Sequence, residues 1–374
     1  MISEKDFLRY EKQTSKLYEK MELDLLRDIA QRIADVGELN TVGYNNAVIL
    51  QQMGYLYEDM INDIAEHNEM NIEEVKKIFE NAGIRTIKKD DIIYKQAGIS
   101  PGKISNTLYN IMERQADDTS YNILRLTRTI ANTGQEQFIN AVNQAYLETS
   151  SGMKSYSQAI IDAVDKVGKQ GAIVKYPSGV TRSVESAIRM NVLTAVGQMS
   201  GELQLERAQE VGWDLVEVSA HIGARPEHAE WQGKVYSLSG SNGYKDFYEE
   251  TGYGSMLGLC GINCRHTFFP YYKGSTLTYT KNELKEMKNA KVHYNGQEMS
   301  YYDATQLQRR MERQIRQNRK DIAVLKGLQN SDVDNSDLKQ EMNKAKNKLQ
   351  NNQNKLEDLI NQVNFKDNDR TYIG

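Results

Sequence analysis

Both cysteines and four of the five histidines of this chain lie in or just beyond one stretch, Ser219–Gly274: His221, His228, Cys260, Cys264 and His266, with His293 following. These residue types ligate metals or act as nucleophiles, and three chemistries fit them. The first is a structural zinc site. Cys260-x3-Cys264-x-His266 offers two thiolates and an imidazole, and His221 and His228 add two imidazoles from a neighbouring segment. Any four of the five would close a tetrahedral N/S site. Such a site would pin a glycine-rich loop that buries too little apolar surface to hold itself. The second is nucleophilic catalysis by Cys260 or Cys264 activated by a histidine, although no Asp or Asn stands out as the orienting third member. The third is purely structural: small buried cysteines, and histidines satisfied by backbone hydrogen bonds. A Cys260–Cys264 disulfide is disfavoured in a reducing cytosol.

The elements that must position these residues can be read from periodicity. Trp213–His221 alternates, with Val216, Val218 and Ala220 on one side and Glu217, Ser219 and His221 on the other, which predicts a half-buried strand delivering His221 on its polar face. Gly223, Arg225 and Pro226 turn the chain and bring His228 back towards His221. The segment Gly252–Gly258 holds three glycines, too many for a regular element. Thr267–Tyr272 reads as a closing strand.

Upstream, helices are predicted over 4–36 with Gly37 as C-cap, 45–67, 71–81 (Asn71-x-x-Glu74 resembling a capping box), a long region to about Glu148, and 156–168. A short strand at Ile173–Tyr176 leads to a turn at Pro177-Ser178-Gly179, and a helix over 183–211 ends at Gly212. Downstream, 303–329 and 337–363 show coiled-coil spacing, with polar Asn318 and Asn352 each filling one gap. The short polar linker between them predicts an antiparallel hairpin. Arg309, Arg313, Arg316 and Lys320 share one face of the first arm: either a solvated flank or a basic stripe for DNA or an acidic partner.

The chain is therefore expected to be mainly α with a small α+β domain. Its parts are a helical N-terminal domain (1–150), a connecting segment (151–171), the α+β module with the His/Cys patch (172–280), a second connection (281–302), the coiled-coil hairpin (303–363) and a tail (364–374). With 374 residues and 26% charged residues, it can hold several cores. A net charge of −4 gives no global drive towards nucleic acid or anionic membrane. MISEKDFLRYEKQ has no apolar h-region and no run approaches a membrane span, so neither a signal peptide nor a membrane segment is expected.

The string His221-Ile-Gly-Ala-Arg225-Pro226-x-His228-x-x-Trp231-Gln232-Gly233-Lys234-Val-Tyr236, followed by Gly258-x-Cys260-Gly261-x-Asn263-Cys264-Arg265-His266, resembles the phage minor capsid protein 2 family of tailed phages and prophages of Firmicutes. More loosely it is similar to the Mu F-like head morphogenesis proteins. The likeness extends to Tyr302–Arg316 and to the closing Asp369-Arg370-x-Tyr372-Ile373-Gly374. Arg225, Pro226, Trp231, Gly233, Asn263 and Arg265 stand in it as structural motif residues. The resemblance implies a low-copy structural protein of the phage head near the portal vertex, made in the host cytoplasm and tied to procapsid assembly and DNA packaging or delivery. Its implied partners are the portal protein, major capsid or scaffold proteins, packaged DNA and further copies of itself. Some relatives carry toxin or ADP-ribosyltransferase domains at the C-terminus; here that region is a helical hairpin, so such activity is not carried over. The rival reading is a phage-borne Cys/His hydrolase or effector delivered with the DNA.

Overall fold

The computed structural model describes residues 2–39, 46–176, 178–241 and 243–365; Pro177 and the closing 369–374 motif lie outside them. The fold is mainly helical with small antiparallel sheets. Its first elements are α1 (Glu4–Leu39), α2 (Asn46–Gln96), α3 (Asn106–Ser150), α4 (Tyr156–Gln170), the hairpin β1 (Ile173–Lys175) and β2 (Thr181–Ser183), and α5 (Val184–Glu210). Then come β3 (Leu215–Val218), α6 (Pro226–Ala229), β4 (Val235–Ser237), α7 (Phe247–Thr251) and β5 (Phe268–Pro270). The chain continues through α8 (Lys281–Lys288), the hairpin β6 (Lys291–Tyr294) and β7 (Gln297–Ser300), α9 (Tyr301–Gly327) and α10 (Asn335–Val363). Among the described residues no helix is long and apolar enough to cross a membrane.

Among the described residues, three apolar clusters hold these elements together. The largest joins α1–α5 to the end of α9 and the start of α10, so Met21, Leu25, Ile29 and Ile33 of α1 share a core with Val324 and Leu328. Gly327 permits this approach: a Cβ there would sit 2.5 Å from the Arg27 carbonyl oxygen of α1. The second cluster lies under the β4-β3-β5 sheet and includes both cysteines with Val216, Val218, Tyr236, Phe247 and Phe268. The third pairs the start of α9 with the end of α10 through Ile315, Leu356 and Leu359. The hairpin is antiparallel, as the short linker predicts.

Four expectations need correction. Helix α1 runs past Gly37 to Leu39. The stretches 45–67 and 71–81 belong to one helix, α2, in which Asn71 is buried rather than capping. The continuous apolar face of Met60, Ile64, Val75, Phe79 and Ala82 outweighs a cap that a polar residue can equally leave unused. Strand β3 is buried on both faces: β4 and β5 pair with its edges, Val216 and Val218 join the second apolar cluster, and Glu217 is covered by Thr278, which donates to its carboxylate from backbone and hydroxyl. Residues 281–302 form α8, with a Thr280–Glu283 capping box, and the β6–β7 hairpin, whose Asn295 and Gly296 both have positive φ.

Candidate functional site: a His/Cys centre beside a cationic cavity

The centre is assembled where β3 and β5 run out together. The Ser219 amide donates to the Thr267 carbonyl at 2.8 Å and the Thr267 amide donates to Ser219 Oγ at 2.9 Å. This zipper sets the rings of His221 and His266 side by side, with centroids 4.3 Å apart. Gly223 then turns the chain at φ 73°, Arg225 and Pro226 start α6, and His228 swings back into the interior against Trp231. Gly233, at φ 63°, donates its amide to Val218 and closes the loop; a Cβ there would strike Leu284.

The cysteine arm depends on two close glycine approaches. A Cβ on Gly258 would stand 1.9 Å from the Gly252 carbonyl oxygen, and one on Gly261 would stand 2.5 Å from that of Met256. Cys260 and Asn263 adopt left-handed backbone, at φ 60° and 55°. The result turns Cys264 towards the histidines. Its Sγ lies 3.5 Å from His228 Nδ1 and 3.7 Å from His266 Nδ1.

Cys264, His228 and His266 thus offer three ligand atoms all within 4.8 Å of one another, and all three residues are buried. Of the five residues expected to supply a metal site, the structure brings these three together and leaves two outside. Cys260 Sγ instead approaches the His266 carbonyl oxygen at 3.6 Å. His221 directs Nδ1 towards the Ile222 carbonyl and Glu4. His293 lies on β6, away from the centre.

The outer hydrogen bonds fix the tautomers. His228 Nε2 is 3.1 Å from the Leu257 carbonyl oxygen, which can only accept, so Nε2 carries the proton. His266 Nε2 is 3.1 Å from Gln232 Oε1, the same atom that accepts the His221 amide at 2.7 Å, so it too donates. Burial lowers the pKa of both imidazoles, with Arg225 adding to the effect at His228 and His221 at His266, which keeps them neutral. Each Nδ1 is then a lone pair, and both face one sulfur. A thiol has one hydrogen and can satisfy only one of them. A divalent cation bound by both Nδ1 atoms and the thiolate satisfies all three, with each Nε2–H held by an oxygen as metal-bound histidines commonly are. The donor set fits Zn²⁺ with three protein ligands, one short of the closed four-ligand site that the sequence suggested.

The motif residues anchor this centre to the helices. Arg265 donates to Glu11 of α1 at 2.9 Å, and Glu11 also accepts from Arg189 of α5 at 2.7 Å. Arg225 donates to the Ile262 carbonyl at 3.1 Å, and the Asn263 amide reaches Thr194 of α5. Glu11 and Glu4 had no signal in the sequence, since they lie about 250 residues from the residues they hold. Gln232 was visible only as part of the motif string.

The basic face of α9 is not a solvated flank. Lys320 is buried on Glu22 at 2.6 Å, Arg316 lies 3.8 Å from Glu185, and Arg309 is partly buried within electrostatic reach of Arg265 and Glu11. With exposed Arg313 they line a cavity of about 680 Å³ where α1, α5, α9 and the His/Cys loops meet.

The profile of the family described as phage minor capsid protein 2 matches residues 2–361. A structural protein of Lactococcus phage LL-H is 24% identical over 367 residues, covering 92% of each chain. A structural protein of Lactococcus phage mv4 is 38% identical over 66 residues, which are 17% of this chain and 45% of that relative. No solved structure matches.

Proposed function

Since the chain belongs to the phage minor capsid protein 2 family, and is on that footing a phage structural protein, we propose that it is a low-copy head component at or near the portal vertex, acting in procapsid assembly and in DNA packaging or delivery. The observation that carries this reading is the span of the match, which takes in the helical frame, the His/Cys module and the hairpin alike. Its partners are then the portal protein, major capsid or scaffold proteins and packaged DNA, met within the procapsid after synthesis in the host cytoplasm. Helix α3 offers one docking face: Tyr109, Tyr121 and Leu124 are exposed within about 120° of its circumference. The centre at His228, Cys264 and His266 binds Zn²⁺ and holds the glycine-rich loop in shape, a structural and non-enzymatic role. Cys260, outside the trio, is a buried thiol whose pKa burial raises, whereas a cysteine nucleophile needs a lowered one.

The test is a lysate from induced lysogens, treated with nuclease and sedimented, with quantitative mass spectrometry of the particles. A low, fixed ratio of this protein to the portal protein is expected. Absence from both virions and procapsids would sink the assembly reading.

A further inference from the structure

The cavity between α1, α5 and α9 holds more positive charge than its own residues neutralise. Among the described residues, eight Arg and Lys side chains line it against four carboxylates. Five of the eight have partners. Arg189 and Arg265 share Glu11, Lys320 sits on Glu22, Arg316 approaches Glu185, and Arg225 donates to a carbonyl. Arg182, Arg309 and Arg313 make no hydrogen bond or ion pair with any described residue.

Arg309 is the informative member. It is partly buried and feels the like charges of Arg265 and Arg189 as well as the carboxylates of Glu11 and Glu312; burial and the two arginines lower its pKa to about 10 against the opposing pull of the carboxylates. Glu312, one of the four carboxylates, is pushed up to about 7 and carries less than a full charge near neutrality. His221 adds a buried Nε2 with no hydrogen-bond partner in the same lining. Arg182 and Arg313 are exposed, whereas Arg309 is partly buried and shares its neighbouring carboxylates, Glu11 and Glu312, with other guanidiniums; a guanidinium so placed is stabilised when a further anion joins it.

We propose that this cavity is a binding site for a small polyphosphate anion, held chiefly by Arg182, Arg309 and Arg313. A phosphate group carries about −1.5 to −2 charges near neutral pH, so two linked groups match three unpaired guanidiniums. Guanidinium forks meet phosphate oxygens in bidentate fashion, and a volume of about 680 Å³ is that of a small-ligand pocket. A nucleic-acid duplex does not enter a space of that size, which argues against the DNA contact that the stripe of Arg309, Arg313, Arg316 and Lys320 suggests in sequence. Bound there, the anion would bridge α9 to β2 and so tie the hairpin to the helical frame.

The experiment is isothermal titration of the full-length protein, as purified, with pyrophosphate and separately with adenosine triphosphate. Saturable binding at one site that weakens with rising salt is expected. Equal affinity for the two would mean that the phosphate chain alone is read; tighter binding of the nucleotide would add a nucleoside contact. Arg309→Gln/Arg313→Gln should weaken binding at least about tenfold while the thermal melt stays cooperative, because neither side chain makes a hydrogen bond or close ion pair with a described residue. Arg310→Gln, on the exposed side of α9, should leave binding unchanged. Binding that survives in the double variant would place the phosphates on the metal centre or elsewhere and overturn the proposal. So would absence of binding at low salt, or preference for a DNA oligonucleotide or an acidic peptide that displaces pyrophosphate.

Discussion

Asn352 donates from Nδ2 to Asn318 Oδ1 at 2.7 Å, joining the two arms of the α9–α10 hairpin at the one level where each heptad pattern has a polar gap. An asparagine pair inside an apolar seam fixes register, because sliding either helix leaves both amides unsatisfied.

The single variant Asn352→Leu leaves Oδ1 of the buried Asn318 without its donor and should lower stability by about 1–2 kcal/mol in urea denaturation. The double variant Asn318→Leu/Asn352→Leu should recover most of that loss, since an apolar pair replaces the polar one. If the single and double variants are equally destabilised, the pair does not act as a register lock.

The His/Cys centre predicts one equivalent of zinc in protein purified without chelator, measured by plasma mass spectrometry. Cys264→Ser, His228→Ala and His266→Ala should each lose it, whereas Cys260→Ser and His221→Ala should keep it. Gln232→Ala removes the oxygen that orients His266 and should weaken zinc by about 10- to 100-fold.

Glu11 takes one arginine from the His/Cys module and one from α5. Glu11→Gln removes the carboxylate nearest to Arg265 and Arg189; Glu4 (3.5 Å from Arg265) and Glu185 (3.2 Å from Arg189) are more distant. A stability loss of about 2–3 kcal/mol is expected in urea denaturation. Hydrogen exchange should rise first around residues 261–266, which Arg265 ties to α1.

Glu312 predicts a pH dependence of opposite sign to that of an ordinary ion-paired carboxylate. Burial and the nearby charge of Glu11 raise its folded-state pKa to about 7, against the lowering effects of Arg316, Arg309 and Gln308. Between the unfolded value near 4.5 and about 7 the folded protein holds more proton, so this group's contribution to stability falls as pH rises through that window. Glu312→Gln should be more stable than the parent at pH 8, by about 1–3 kcal/mol, and close to it at pH 4.5. A difference independent of pH would contradict this account.

Much of the architecture was legible along the chain because it is locally encoded. The apolar stripe of α1, the helix from about Ser183 to Gly212 and the Asn318/Asn352 gaps are patterns within a few helical turns, and each appears in the fold where its spacing placed it. The β6–β7 hairpin was also written locally, in Tyr294-Asn295-Gly296-Gln297, but its short, exposed strands carry too weak an apolar alternation to signal themselves.

The sequence by itself determined the residue types of the centre, its tight glycine turns and the helical frame, since these rest on backbone sterics and short-range periodicity. Only the tertiary structure decided which three of five candidate ligands converge, because that depends on the Ser219–Thr267 zipper and on which ring nitrogen each outer oxygen claims. Likewise, the spacing of Arg309, Arg313, Arg316 and Lys320 put them on one face of a helix. Whether that face met solvent or a cavity depended on α1 and α5 packing against α9 from more than a hundred residues away. Long-range burial, unlike helical periodicity, leaves no mark on neighbouring residues.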